Sequence, residues 1–183
     1  MPGFARAAGI AESALADIQL FARFHDIGKI GVADHILQKP GALTEVERRA
    51  MRQHCEIGYR IACAAPELAP IADWILRHHE GWDGSGYPLQ LKGMEIELEC
   101  RLLAIADSYD VMTNDRPYRV AMSHEQAIRE LQRCAGTQFD PELVKVFVEM
   151  SLEEIKTSGY APGRVREWRT EVPQFNEIET VHA

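Results

Sequence analysis

Apolar residues recur at helical spacing along most of the chain, and no stretch alternates convincingly in the manner of a strand. Leu15, Ile18, Phe21 and Ala22 mark one face of a helix over about 12–24, which Gly28 and Gly31 bring to an end. Thr44 followed by Glu47 is a capping box that opens a helix running to about 64, with His54, Ile57, Gly58 and Ile61 along one face. Pro66 and Pro70 frame the next start, and the stripe Ile71, Trp74, Ile75 leads up to His78. The run Leu98, Leu102, Leu103, Ile105, Ala106, Tyr109 and Val111 is too apolar for a surface helix and predicts a central buried helix over about 97–113. Ser123 with Gln126 caps a helix to about 134, and Asp140-Pro141 starts another that buries Leu143, Val144, Phe147 and Val148. Residues 1–10 carry no readable pattern, and 32–43 form a connector that turns at Lys39-Pro40-Gly41. Beyond about 150 the periodicity fades, so the expectation is one all-α domain over 1–150 with a tail over 151–183, where Arg164 to Arg169 and Trp168 pack.

The polar residues inside these apolar patterns change the picture. His25 and Asp26 stand side by side where a helix ends, which lets their side chains converge more readily than adjacent positions in mid-helix, set about 100° apart, would allow. His78-His79-Glu80 ends another helix, His54 lies on an apolar face, and Asp107 with Asp110 falls in the expected central buried helix. An unpaired carboxylate at Asp107 would be costly, and a metal ion accounts for it together with the other candidate ligands. Six histidine and carboxylate side chains exceed the needs of a tetrahedral zinc site and suit two ions of higher coordination, which together lower the pKa of a water and clamp a phosphodiester. Between His79 and Lys92 lies a glycine-dense loop, Gly81-Trp82-Asp83-Gly84-Ser85-Gly86-Tyr87-Pro88, in which Trp82 and Tyr87 serve either as faces for a base or as loop anchors.

Composition narrows the class. The chain has 183 residues, 46% of them hydrophobic and 26% charged, which is ordinary for a globular protein. A net charge of −8 and a pI near 5.4 exclude a basic face that coats duplex nucleic acid, while a small anion can still be received by local cations or metal ions. Cys55, Cys63, Cys100 and Cys134 are scattered and read as reduced, partly buried thiols. With neither a signal peptide nor a membrane span in the pattern, the expected location is the cytoplasm.

Taken together, His25-Asp26-x-Gly28-Lys29 and His78-His79-Glu80-x-Trp82-Asp83-Gly84-x-Gly86-Tyr87-Pro88 resemble the HD-GYP phosphodiesterases of the HD superfamily. The resemblance extends over roughly 20–150 and includes Lys39-Pro40-Gly41, Asp107-x-x-Asp110, Arg116-Pro117-Tyr118-Arg119 and the stretch Gly136-Thr137-Gln138-Phe139-Asp140-Pro141. It implies an HD-superfamily helical bundle that hydrolyses the bacterial second messenger cyclic di-GMP, or a related cyclic dinucleotide, to the linear dinucleotide or to GMP. It also implies divalent ions, here two, of iron or manganese, held by His25, Asp26, His54, His78, His79 and Asp107, with Asp26 as the bridge. Asp26 and Lys29 are then the catalytic residues, and Lys29, Tyr87, Arg116 and Arg119 contact the phosphates and bases of the substrate. The family pattern has a further histidine on a helix ahead of the HD pair, whereas no histidine precedes His25, so the resemblance implies a first helix missing and one ion short of a ligand. The competing readings are a catalytically weakened cyclic di-GMP sensor or protein-interaction domain, and a phosphohydrolase of another nucleotide. A homodimer or an upstream sensory domain are the partners that such a domain implies.

Overall fold

The computed structural model describes residues 1–115 and 120–158. Among them the chain is helical, with α1 (Pro2–Ala7), α2 (Leu15–Phe24), α3 (Asp34–Leu37), α4 (Glu45–Arg52), α5 (His54–Ala64), α6 (Ala72–Arg77), α7 (Leu98–Thr113), α8 (His124–Arg133) and α9 (Pro141–Ser158). No strand occurs among the described residues, and only Ala135 and Phe139 form an isolated bridge.

The helix starts follow the capping chemistry of the sequence. The Thr44 and Ser123 hydroxyls accept from the N–H groups of Glu47 and Gln126, whose side chains reach back to the cap amides. Asp140 Oδ1 accepts from the amide of Glu142 at 2.9 Å at the start of α9, and its Oδ2 takes Arg101 Nη1 at 2.7 Å, tying α7 to that helix end. Two expectations need amendment. The helix expected over 44–64 is two helices, because the chain steps at Gln53 between α4 and α5, so that His54 opens a new helix. Residues 1–10 hold α1, which buries Phe4 edge-on against Phe147 at 4.9 Å between centroids.

Two main apolar clusters form the core, and α2 and α7 contribute to both. One gathers Phe4, Ile18, Leu102, Ile105, Leu131 and Phe147; the other gathers Phe21, Ala62, Ile71, Ile75, Ile96 and Leu103. Leu102 and Ile105 have no exposed surface, so α7 is the central helix that its composition predicts. Against the second cluster, α5 packs onto the short turn Ile27–Gly31. There Gly28 approaches bare backbone: a Cβ would lie 1.9 Å from the carbonyl oxygen of His54 and 2.5 Å from the amide nitrogen of Gly58. That approach brings the first turn of α5 against the His25-Asp26 pair.

Candidate metal centre

Three histidines are oriented by the same local device. A helix leaves its last carbonyls without partners, and an imidazole close behind can take one of them. His25 at the end of α2 donates through Nδ1 to the Ala22 carbonyl at 3.1 Å, and His78 at the end of α6 donates to the Ile75 carbonyl at 2.7 Å. His54, just past α4, donates to the Met51 carbonyl at 2.7 Å. A carbonyl can only accept, so each Nδ1 carries the proton, and in its neutral form each ring turns a lone pair on Nε2 away from its helix.

Those lone pairs converge. His54 Nε2 and His78 Nε2 are 3.3 Å apart, and they lie 3.5 Å and 3.8 Å from Asp26 Oδ1. His25 Nε2 is 3.4 Å from Asp26 Oδ2 and 4.0 Å from Asp107 Oδ1 on α7. The His79 ring lies 5.0 Å from that of His54 and 4.1 Å from that of His78, centroid to centroid. Asp26 Oδ1 is buried and accepts no hydrogen bond. Acceptors facing one another in this way repel unless a cation lies among them, and a carboxylate between imidazole nitrogens is a donor set for divalent metal ions. The residues therefore fit the metal ions that the family resemblance implies.

The electrostatics agree for His54, His78, His79 and Asp26. Burial, reinforced by His78, pushes His54 down to about 4, and burial likewise lowers His78 and, well below the usual range, His79. Burial works against ionised Asp26, yet His25, His78 and Lys29 outweigh it and hold the carboxyl far below the carboxylate range. For His25, burial is outweighed by the carboxylates of Asp26 and Asp107, and its pKa rises. Neutral imidazoles and an ionised carboxylate are the ligating forms.

The sequence had marked Cys55 only as a reduced thiol. It is fully buried, its Sγ is 3.6 Å from His54 Nε2, and it forms with His54, His78 and His79 a group whose ligand atoms all lie within 4.8 Å of one another. No motif points to it; adjacency to His54 on the first turn of α5 was the available signal. Asp110, by contrast, is exposed, accepts from Asn114 Nδ2 at 2.9 Å and does not join the cluster.

The glycine-dense loop is anchored from both sides. The buried Glu80 carboxylate accepts from the amides of Leu89 at 2.7 Å and Leu91 at 3.0 Å, while the Trp82 and Asp83 amides bind the carbonyls of Gln138 and Thr137. A Cβ on Gly86 would meet the Gly81 nitrogen at 2.2 Å, so the loop folds back on itself in backbone contact. Trp82 is an anchor, with the Arg101 guanidinium above its ring. Tyr87 stacks on His79 at 4.9 Å and 26°, with the Arg52 guanidinium 4.7 Å from its centroid. Lys29 Nζ is 2.7 Å from Asp26 Oδ2. A cavity of about 340 Å³ opens in front of this assembly, lined by His25, His79, Asp107 and Tyr87 among others. Arg116 and Arg119 lie outside the described residues, as do Arg164 to Arg169.

Residues 3–143 match the family description of the HD domain. The chain belongs to the HD domain family. Among curated relatives, the cyclic di-GMP phosphodiesterase of Thermotoga maritima is 44% identical over 147 residues, which cover 79% of this chain and 40% of that protein. The cyclic di-GMP phosphodiesterase response regulator RpfG of Xanthomonas campestris pv. campestris is 38% identical over 163 residues, covering 85% of this chain and 43% of that one. The HD chain thus spans less than half the length of these two relatives. In structure it resembles a crystal structure of cyclic GMP-AMP specific phosphodiesterases of Vibrio cholerae (V-cGAP3), with a TM-score of 0.64 at 23% identity over 85% of this chain and 42% of that one, a likeness of fold. The HD-GYP resemblance read from the motifs is borne out. Among the described residues, no helix is long and apolar enough to cross a membrane.

Proposed function

We propose that this HD domain is a metal-dependent phosphodiesterase that hydrolyses cyclic di-GMP, or a related cyclic dinucleotide, to the linear dinucleotide or GMP. The observation that carries the reading is the convergence of the His54 and His78 Nε2 atoms on a buried Asp26 oxygen that no hydrogen bond satisfies. The names of the two curated relatives support the substrate class.

In this reading His25, Asp26, His54, His78, His79 and Asp107 hold two divalent ions, iron or manganese, with Asp26 between them. Cys55 offers a further donor beside His54. Bound ions supply Lewis-acid polarisation of the phosphoryl oxygen and lower the pKa of water.

The chain's own residues do the rest. Lys29 is held by one contact to Asp26 and keeps donors for a non-bridging oxygen, where negative charge grows during in-line attack. The Nδ1 clamps on His25, His54 and His78 fix the ring orientations before substrate arrives, so little reorganisation accompanies the reaction. Tyr87, stacked on His79, forms the cavity wall beside the cluster and contacts substrate from there. Arg116 and Arg119 complete the substrate contacts in this reading.

The experiment is metal analysis of protein purified without chelator, paired with turnover of cyclic di-GMP and 3′3′-cGAMP in the presence of ferrous iron or manganese. Two metal equivalents with hydrolysis of either nucleotide is the expected result. Substoichiometric metal and no hydrolysis, with nucleotide binding retained, would identify a sensor domain instead.

A further inference from the structure

Arg52 is the last residue of α4, where any positive charge complements the helix dipole. That accounts for a basic residue there and not for the direction of its head. The guanidinium lies over Tyr87 and the residue lines the same cavity as His25, His79 and Asp107. Steps of 4.9 Å from His79 to Tyr87 and 4.7 Å from Tyr87 to Arg52 put the guanidinium within about 10 Å of the His79 ring. Among the described residues no carboxylate lies within ion-pair distance of Arg52. An aromatic face holds a guanidinium in place without neutralising it, so its forked N–H donors remain available.

Arg48, one helical turn earlier, lines the same cavity. Its Nε is buried and makes no hydrogen bond, the nearest carboxylate oxygen being Glu45 Oε2 at 3.7 Å. Its Nη2 donates to the Leu43 carbonyl at 3.4 Å, so the Nε–H is the donor left over, and an anionic oxygen arriving from the cavity would satisfy it. One wall of the cavity thus carries the metal ligands, and another carries two guanidiniums with donors to spare.

The geometry points to Arg52, supported by Arg48, as the binding site for the second phosphate of a cyclic dinucleotide, the one that is not being cleaved. This rests on the function proposed above. A cyclic dinucleotide carries two phosphodiesters in one ring, so when one lies at the histidine–aspartate cluster the other must meet a wall of the same cavity. A guanidinium fork matches phosphate oxygens in two parallel hydrogen bonds.

The test compares cyclic di-GMP with bis(p-nitrophenyl) phosphate, a diester that has no second phosphate, in metal-loaded wild type, Arg52→Ala and Arg52→Lys, with metal content measured for each. The expected result is a roughly 10–100-fold rise in KM for cyclic di-GMP in Arg52→Ala, with a far smaller change in kcat. Arg52→Lys, which keeps the charge and loses the fork, should fall between. The loss must be at least roughly tenfold greater for the dinucleotide than for the small diester. Equal losses on both substrates, with wild type turning over cyclic di-GMP, would mean that Arg52 acts by holding Tyr87 and His79 and would overturn this assignment alone. Wild type that cleaves the small diester and no cyclic dinucleotide would overturn the functional reading itself and the Arg52 assignment with it.

Discussion

His54 Nε2 stands 3.3 Å from His78 Nε2, and both nitrogens face the same buried oxygen of Asp26. Each ring is protonated on its far side by contact with a backbone carbonyl, so the two near nitrogens oppose each other as lone pairs. The helix ends hold this electrostatically unfavourable arrangement in place. It becomes favourable when a divalent cation is shared.

Asp26→Ala removes the oxygens that sit between His25, His54 and His78. Metal affinity should fall by more than the roughly 10–100-fold typical of losing a supporting partner, and cyclic di-GMP turnover should fall with it. Metal stoichiometry after purification without chelator and a turnover assay check both. Turnover at the wild-type rate would be incompatible with a bridging role.

Lys29→Ala should separate metal binding from rate. The ammonium touches Asp26 Oδ2 and is not itself a ligand, so the variant should keep its metal while kcat drops by about 3 kcal/mol of transition-state stabilisation, roughly 100-fold. A variant that loses metal to the same extent as Asp26→Ala would assign Lys29 to the upkeep of the site.

Much of this site is legible in the sequence because its residue types are out of place where they occur. Asp107 in the central buried helix, and the His25-Asp26 and His78-His79 pairs where helices stop, call for a partner that the apolar surroundings do not supply. The step at Gln53 is not legible, because glutamine fits a continuing helix and carries no breaker signal; its backbone stays in the right-handed helical region even where the helices part. α1 is too short to show a period. The contact of Arg52 with Tyr87 spans two segments distant in sequence, and a basic residue in a last helical turn already has a local explanation. The stack of Tyr87 on His79 likewise depends on the loop folding back, which the glycines permit and do not dictate.

Gly28→Ala should destabilise the fold severely. The added carbon would lie 1.9 Å from the His54 carbonyl oxygen, an atom of the main chain that cannot swing aside. The cost should reach the upper end of the overpacking range, about 3 kcal/mol or more, visible as a lower Tm of the metal-free protein, with weaker metal binding because α5 must back away from Asp26. A stability equal to wild type would mean that α5 and the Ile27–Gly31 turn are free to separate.

The metal-free protein should lose stability as the pH falls from about 6.5 to about 4. His54 titrates near 4 in the folded chain against 6.5 ordinarily, so in that window the unfolded chain binds the proton and the folded chain does not. Stability therefore rises with pH across the window, with His54 alone worth about 3 kcal/mol. His78 and His79 act in the same direction. His25 opposes them: its raised pKa adds stability below 6.5 that is lost as the pH rises through its folded value. The depressed carboxyl of Asp26 protects stability above its ordinary 3.8 and adds to the loss only at lower pH. Denaturant titrations from pH 7.5 to 4.5 measure the slope. A flat profile would mean that the imidazoles take up protons without unfolding.

The carbonyl clamps of His25, His54 and His78 each span three residues within one segment of chain. An insertion of one residue in the body of α2 or α6 would therefore carry clamp and ring around together, by about 100°, and leave the local hydrogen bond intact while the lone pair looks elsewhere. Insertions in the connector between α3 and α4 move neither. The ligand set thus tolerates insertion and deletion in that connector, and the helix lengths act as a reading frame for it, one that can be broken without any ligand being substituted.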